Sequence, residues 1–308
     1  MSAFSVVPFS TNVFAAANAG SAPARYIGNN SGYTLANYQT FVKWFGHTPT
    51  YSGLAFNLGV SGASLNASIA MICALGAGMA QQGSKVIWSV PFPAQKCLEK
   101  VIAGQFDQLY TAVFKGIVAA SPANASTIYV RLPWEFNMTG ANWMNAALDA
   151  QGAPSPAKFI SAWTHLAQLA HSVSARFQRI WCPGTTTRQI DPLSCWPGWQ
   201  NVEIIAQDFY MVVANVQPSA ITWYMNEARG LKWAASFAAA QGKPFALTEF
   251  GMDSDVFAGD LALLGLWLEG LGDSLHHACW WDNTSVTNCK ISDGSHGALG
   301  AQFKKSFA

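Results

Sequence analysis

Apolar runs of strand length alternate with longer helix-like stretches from one end of this 308-residue chain to the other. The strand-like runs are 25–30, 52–59, 85–92, 127–136, 179–184, 202–210, 244–251 and 276–282. They lack the polar–apolar alternation of a half-exposed sheet, so each reads as buried on both faces, as parallel strands are. Helix-like segments lie between them near 34–46, 63–82, 98–121, 156–177, 227–241 and 257–272. A less regular one sits near 186–199, and GALGAQFKKSFA closes the chain. Pro122, Pro154, Pro156, Gly198, Gly242 and Pro244 punctuate the junctions, where residues that break regular structure belong.

Eight such βα units predict one α/β domain over residues 1–308, a single (β/α)8 TIM barrel with 1–24 as an N-terminal extension. The competing architecture is a doubly wound sheet. Its glycine-rich first turn is not matched by Gly28-Asn29-Asn30-Ser31-Gly32.

Composition narrows the partners. The chain is 51% hydrophobic and 11% charged, with a formal net charge of +1 and no basic run. A large core is therefore affordable, while the electrostatic footprint of a nucleic-acid partner is missing. The most apolar helical stretch, 67–80, is shorter than the ~18 residues that suggest a membrane span, so none is expected. A monomer is expected. The six cysteines show neither CxxC nor zinc spacing with His. Cys182/Cys195 and Cys279/Cys289 are close enough to form disulfides, and six buried free thiols are the open alternative. His276 and His277 are expected to face opposite ways on a strand with no third ligand, so no metal is expected.

A barrel of this kind carries its function at the C-terminal ends of its strands. Those ends hold Trp134-Glu135-Phe136-Asn137, Asp208-Phe209-Tyr210, Thr248-Glu249-Phe250 and Trp280-Trp281-Asp282. Glu135 and Glu249 close very apolar strands on opposite sides of the mouth. Two facing carboxyl groups are what glycoside hydrolysis requires: about 5–5.5 Å apart they retain configuration, and farther apart they invert it. The competing reading is structural, with each Glu paired to a buried Arg; Arg131 shares strand parity with Glu135. Of the 13 Trp residues, Trp143, Trp196, Trp199 and Trp281 sit in loop-like contexts that suit sugar platforms.

The segments RLPWEFN with the following Trp143, WPGWQNVEIIAQDFY and KPFALTEFG resemble the retaining glycoside hydrolases with strand-4 and strand-7 glutamates, most of all glycoside hydrolase family 26. The similarity runs from strand 4 to strand 8. It implies that Glu135 is the acid/base, Glu249 the nucleophile, and Arg131, Trp134, Asn137, Trp143, Asp208, Tyr210 and Trp280 or Trp281 the substrate-binding surround. Tyr210 is expected to hydrogen-bond the nucleophile, and Trp280 or Trp281 to form the sugar floor. One position departs from the pattern: Trp134 stands where the family has His and related families Asn. An indole donates but does not accept, so a neighbouring sugar hydroxyl is treated differently.

The expectation is a retaining β-glycoside hydrolase acting on a polysaccharide or oligosaccharide: β-mannan, β-xylan, β-glucan or a bacterial exopolysaccharide. It needs no cofactor. The alternative is a non-catalytic carbohydrate-binding TIM-barrel protein. Polymer substrates imply a secreted or periplasmic location, although the N-terminus lacks the positive region of a secretory signal.

Overall fold

The computed structural model describes residues 27–140, 145–186, 188–213, 220–285 and 287–308. The expected N-terminal extension and Trp143 lie outside the described residues.

Eight parallel strands pair in chain order and close on themselves. They are β1 (Ile27–Asn29), β2 (Tyr51–Ala55), β3 (Lys85–Ser89), β4 (Ile128–Arg131), β5 (Phe177–Trp181), β6 (Ile204–Met211), β7 (Phe245–Met252) and β8 (Leu275–Trp280). Around them run α1 (Leu35–Phe45), α2 (Ala63–Gln81), α3 (Leu98–Ile102), α4 (Asp107–Ala120), α5 (Pro156–Val173), α6 (Ala220–Asn226), α7 (Leu231–Ala240), α8 (Ala258–Gly270) and α9 (Gly297–Phe307). The fold is a (β/α)8 barrel, as the spacing predicts. One predicted helix is split: Gly104 (φ 71°) breaks 98–121 into α3 and α4. The predicted 227–241 is α7 alone, and α6 is an additional helix that Arg229 (φ 61°) and Gly230 separate from it.

Large and small side chains share the barrel interior. Tyr51, Ile87, Tyr129, Ile180 and Ile204 fill it beside Cys182, Ala206, Ala246 and Cys279. Closure is tight at Gly28, where a Cβ would lie 2.4 Å from Cys279 Sγ. Gly76 does the same for α2, since a Cβ there would meet Trp88 Cη2 at 2.0 Å. α2 runs 19 residues at mean hydropathy 1.5, longer than the apolar run counted in the sequence and sufficient by length and composition to cross a bilayer. It docks on the barrel through Ile72, Leu75, Gly76 and Met79.

All six thiols are free. Cys182 and Cys279 belong to the barrel interior, whereas Cys195 and Cys289 pack in the outer layer between strands and helices. The strand wall therefore separates the members of both sequence-close pairs.

Two corrections concern strands. β4 ends at Arg131, not at 136; Pro133 has no N–H to offer a ladder, so the chain leaves the sheet there. At β8 the register slips between Phe245 and Ala246, so that Phe245 pairs with Leu275 and Ala246 with His277. His276 is the extra residue of this irregularity. The two imidazoles do not face opposite ways, and their Nδ1 atoms lie 2.7 Å apart.

That contact requires one ring to donate and the other to accept, so at least one of the two is neutral as built. Burial, with Lys85 adding to it, pulls His276 down from 6.5 to about 4. Burial pulls His277 well below 6.5 too, with the charges of His276 and Arg131 adding. The unfolded chain takes up these protons near pH 6.5, so stability is full above that value and falls as pH drops toward 4. His276 alone accounts for a loss of about 3 kcal/mol across that window. Urea midpoints should thus be lower at about pH 5 than at about pH 7, and the drop should be smaller in His276→Asn. Equal drops in the two proteins would contradict the assignment.

Candidate active site

Three strand ends bring the charged groups together. Arg131 ends β4, Asp208 and Tyr210 lie in β6, and Glu249 lies in β7. The β6–β7 register shifts between Gln207 and Asp208, and the β7–β8 register shifts between Leu247 and Phe250. Such irregularities re-aim side chains at barrel rims, and here they set Asp208 directly opposite Glu249.

Arg131 is the hub and is fully buried. Its Nε donates to Ser89 Oγ at 2.9 Å and its Nη1 to Asp208 Oδ2 at 2.6 Å, while Nη2 donates to Glu249 Oε1. The other oxygen of Glu249 accepts from the Tyr210 hydroxyl at 2.8 Å, and the Glu249 backbone N–H donates to Asp208 Oδ1 at 3.0 Å. Cys182 Sγ also reaches Asp208 Oδ1, at 3.2 Å. Both oxygens of Glu249 are thus aimed, one by the buried Arg131 and the other by the half-buried Tyr210. Trp134 covers the guanidinium, its ring centre 4.3 Å from Arg131 Cζ.

Glu135 is held differently. It lies beyond β4 at φ 50°, with its N–H donating to Cys182 O at 2.8 Å. A non-glycine residue in that region costs about 1–3 kcal/mol, and such strain concentrates at functional sites. Only 6% of the residue is exposed. Arg131 pairs with Asp208 and Glu249, so the Arg131–Glu135 ion pair of the competing reading does not form. The parity argument fails because Glu135 is not in the strand.

The electrostatics follow from this inequality. Burial first, then the charges of Asp208 and Glu249, raise the Glu135 carboxyl well above its ordinary 4.5, with Arg131 and Arg188 opposing. Burial raises Asp208 to about 7, against the pull of Arg131. One guanidinium cannot neutralise three buried carboxylates, so the least paired of them, Glu135, holds its proton most firmly. The site combines a carboxyl that burial and like charge push toward its protonated form with a second one anchored by Arg131 and Tyr210, an arrangement able to give a proton and supply a nucleophile. Among the described residues no group of three His, Cys, Asp or Glu side chains is arranged to hold a metal.

The residues expected at the site divide into those that meet there and those that do not. Arg131, Trp134, Glu135, Asp208, Tyr210 and Glu249 converge, and Trp281 joins them edge-on to Tyr210 at 6.2 Å between ring centres. Asn137 is spent on structure: its amide N–H groups donate to Gly184 O and Thr186 O, and its oxygen accepts from Gly184 N–H. It fastens the β4 loop to the β5 loop and has no exposed surface for a sugar. Trp280 is buried in the outer layer against Phe250 and Phe303, its indole N–H bound to Cys289 O at 2.8 Å. Of the two tryptophans, only Trp281 reaches the mouth beside Tyr210.

Ser89, Cys182, Arg188 and Tyr33 are members that the sequence reading missed. Ser89 closes β3, Cys182 follows β5, and Tyr33 follows β1. The rule that function sits at strand ends applies to every strand and points to these positions as well. Tyr33 is 46% exposed, and its phenol is raised by burial and then by the Glu249 charge. Arg188 could not be found by that rule, since it acts from within the loop after β5.

No family model matches the chain, and no curated protein matches it at the sequence level. Solved structures do resemble it. The catalytic domain of a family 26 endo-β-1,4-mannanase from Bacillus sp. JAMB-750 is 15% identical at a TM-score of 0.65, over 92% of this chain and 86% of that one. A modular endo-β-1,4-mannanase from Cellulomonas fimi is 16% identical at 0.66, over 92% and 70%. A family 26 β-mannanase from Bacteroides ovatus is 14% identical at 0.62, over 91% and 87%. At these identities the likeness is one of fold: this chain is built on the same barrel as those glycoside hydrolases.

Proposed function

We propose that this chain is a retaining β-glycoside hydrolase acting on a β-linked polysaccharide or oligosaccharide, with β-1,4-mannan the first substrate to test. The observation that carries the reading is the unequal treatment of two glutamates at one barrel mouth. Arg131 and Tyr210 hold Glu249, while Glu135 stays unpaired and raised. The shared barrel with the mannanases above supports the substrate class.

In this mechanism a Glu249 oxygen attacks the anomeric carbon as the glycosidic C–O bond breaks, and Glu135 gives its proton to the departing oxygen. A glycosyl ester on Glu249 results. Glu135, now a carboxylate, takes a proton from water, whose oxygen attacks the same carbon and releases Glu249. Two inversions restore the starting configuration, so the first-formed anomer seen by proton NMR should be β. An α product would overturn the retaining mechanism, and glycan binding without any release of reducing ends would favour a carbohydrate-binding barrel. Trp134 gives the sugar pocket an apolar wall over Arg131 that cannot accept a hydrogen bond. Polymeric substrates lie outside cells, which makes an exported protein part of the same proposal.

The raised Glu135 carboxyl keeps its proton to higher pH than an ordinary glutamate, and rising pH removes the proton the leaving group needs. The kcat/KM on a polysaccharide should therefore fall on the alkaline side. Glu135→Gln should lower it by roughly 10²–10⁴-fold and leave kcat/KM on a dinitrophenyl glycoside, whose leaving group needs no acid, nearly unchanged. An equal loss on both substrates would assign the acid elsewhere.

A further inference from the structure

The segment between β5 and β6 carries two tryptophans that part company. Trp196 turns inward, edge-on to Trp181 and Phe237, each at 5.1 Å between ring centres. Gly198 then takes φ 93°, a turn open to glycine, and Trp199 emerges on the other side. Trp199 is 64% exposed, the most exposed aromatic among the described residues. A large indole left in water gives up the favourable burial that its area could supply.

The segment is held rigidly rather than left loose. Asp191 accepts two hydrogen bonds from Arg229, at 2.7 and 2.9 Å, and a third from Leu193 N–H at 3.1 Å. Asn201 Nδ2 donates to Pro197 O at 2.7 Å, and Trp181 Nε1 donates to Cys195 O at 3.2 Å. The backbone that carries the ring is thus positioned in advance, which lowers the entropic cost of binding anything there.

Its surroundings select the ligand. Gln200 and Asn201 follow it in the chain, and Lys243 Nζ stands over one face of the ring, 5.9 Å from its centre. A protein interface needs a contiguous patch of roughly 800 Å² per partner, and a single exposed ring with an ammonium over it does not offer an apolar one. A pyranose matches it: C–H groups on one face for the indole, and hydroxyls around the edge for a donor such as the Lys243 ammonium.

Trp199 precedes β6 and Lys243 precedes β7, so both lie at the N-terminal end of the barrel. The carboxylates lie at the opposite end, about 20 Å away along the strands. We propose that Trp199, with Gln200, Asn201 and Lys243, forms a second glycan-binding platform for a β-linked polysaccharide, separate from the candidate active site. The choice of a polymeric β-glycan rests on the hydrolase reading above, whereas the ring and its rim ask only for a pyranose face. Engaging one polymer at two places raises its effective concentration at the mouth. The benefit vanishes for an oligosaccharide too short to span both.

The test is retardation in native gels cast with galactomannan, glucomannan, xylan or mixed-linkage β-glucan, using Glu249→Gln to prevent digestion. Adding Trp199→Ala should weaken retardation by about tenfold, and Trp199→Phe should restore part of it. On otherwise unchanged protein, Trp199→Ala should raise KM for the polymer and leave turnover of a short oligosaccharide as it was. Retardation unaffected by Trp199→Ala, or no retardation by any of the four glycans, overturns the platform. The hydrolase reading fails separately, if no glycan is cleaved while retardation still depends on Trp199.

Discussion

Glu249→Ala is expected to lower turnover of a β-glycan by on the order of 10⁴-fold or more, the scale of losing a covalent nucleophile. The geometry that motivates this is specific to Glu249. Its two oxygens are taken by Arg131 Nη2 and Tyr210 OH, and its backbone N–H is fixed by Asp208. These donors orient the carboxylate without covering it. The alanine variant leaves a space where the carboxylate stood, and azide added to the reaction should enter it and attack the anomeric carbon. The product is then an α-glycosyl azide, with one inversion instead of two. Glu135→Ala with azide should give the β-azide, because the glycosyl ester on Glu249 still forms first. Product NMR distinguishes the two. Exchange of the two stereochemical outcomes would swap the roles of the glutamates, and wild-type turnover in Glu249→Ala would end the proposal.

Arg131→Met should cost about 3–5 kcal/mol of folding stability, the range for removing one partner of a buried ion pair. That is a large share of the roughly 5–15 kcal/mol that a domain has. The reason lies in the number of groups Arg131 serves. Asp208 and Glu249 both depend on it, and its own exposure is zero. Removing the cation leaves two acids facing each other with no countercharge. Arg131→Lys should fall between, because a single ammonium cannot span Asp208, Glu249 and Ser89 as the planar fork does. Arg131→Met with Asp208→Asn should be less destabilised than Arg131→Met alone, since one of the stranded charges has gone. Urea midpoints for the three variants check the ordering. An Arg131→Met protein as stable as wild type would show that the network contributes nothing to the fold.

Much of this architecture is legible in the chain because its signals are local. Strand-length apolar runs, helix-length periodic segments and punctuating Gly and Pro lie close to the residues they govern. The eight-unit barrel follows from them. Because function in a barrel follows strand ends, the same reading also reached Glu135, Asp208, Tyr210 and Glu249. Where it failed, the cause was a break in regularity. Pro133 ended β4 early and freed Glu135 from strand parity. The irregularity at Ala246 put His276 and His277 on the same side. Asn137 looked like a sugar ligand until the β5 loop consumed both ends of its amide.

The sequence by itself determined the number and order of the βα units and which chemically loaded residues stand at their ends. Only the tertiary structure decided who pairs with whom. Arg131 lies four residues from Glu135, yet its partners are Asp208 and Glu249, 77 and 118 residues away along the chain. Adjacent Trp280 and Trp281 likewise separate, one into the core and one toward Tyr210. Pairing depends on register, and a slip of one residue turns a side chain to the other face of the sheet. Barrel closure and its irregularities set that register, and they exist only once all eight strands have met.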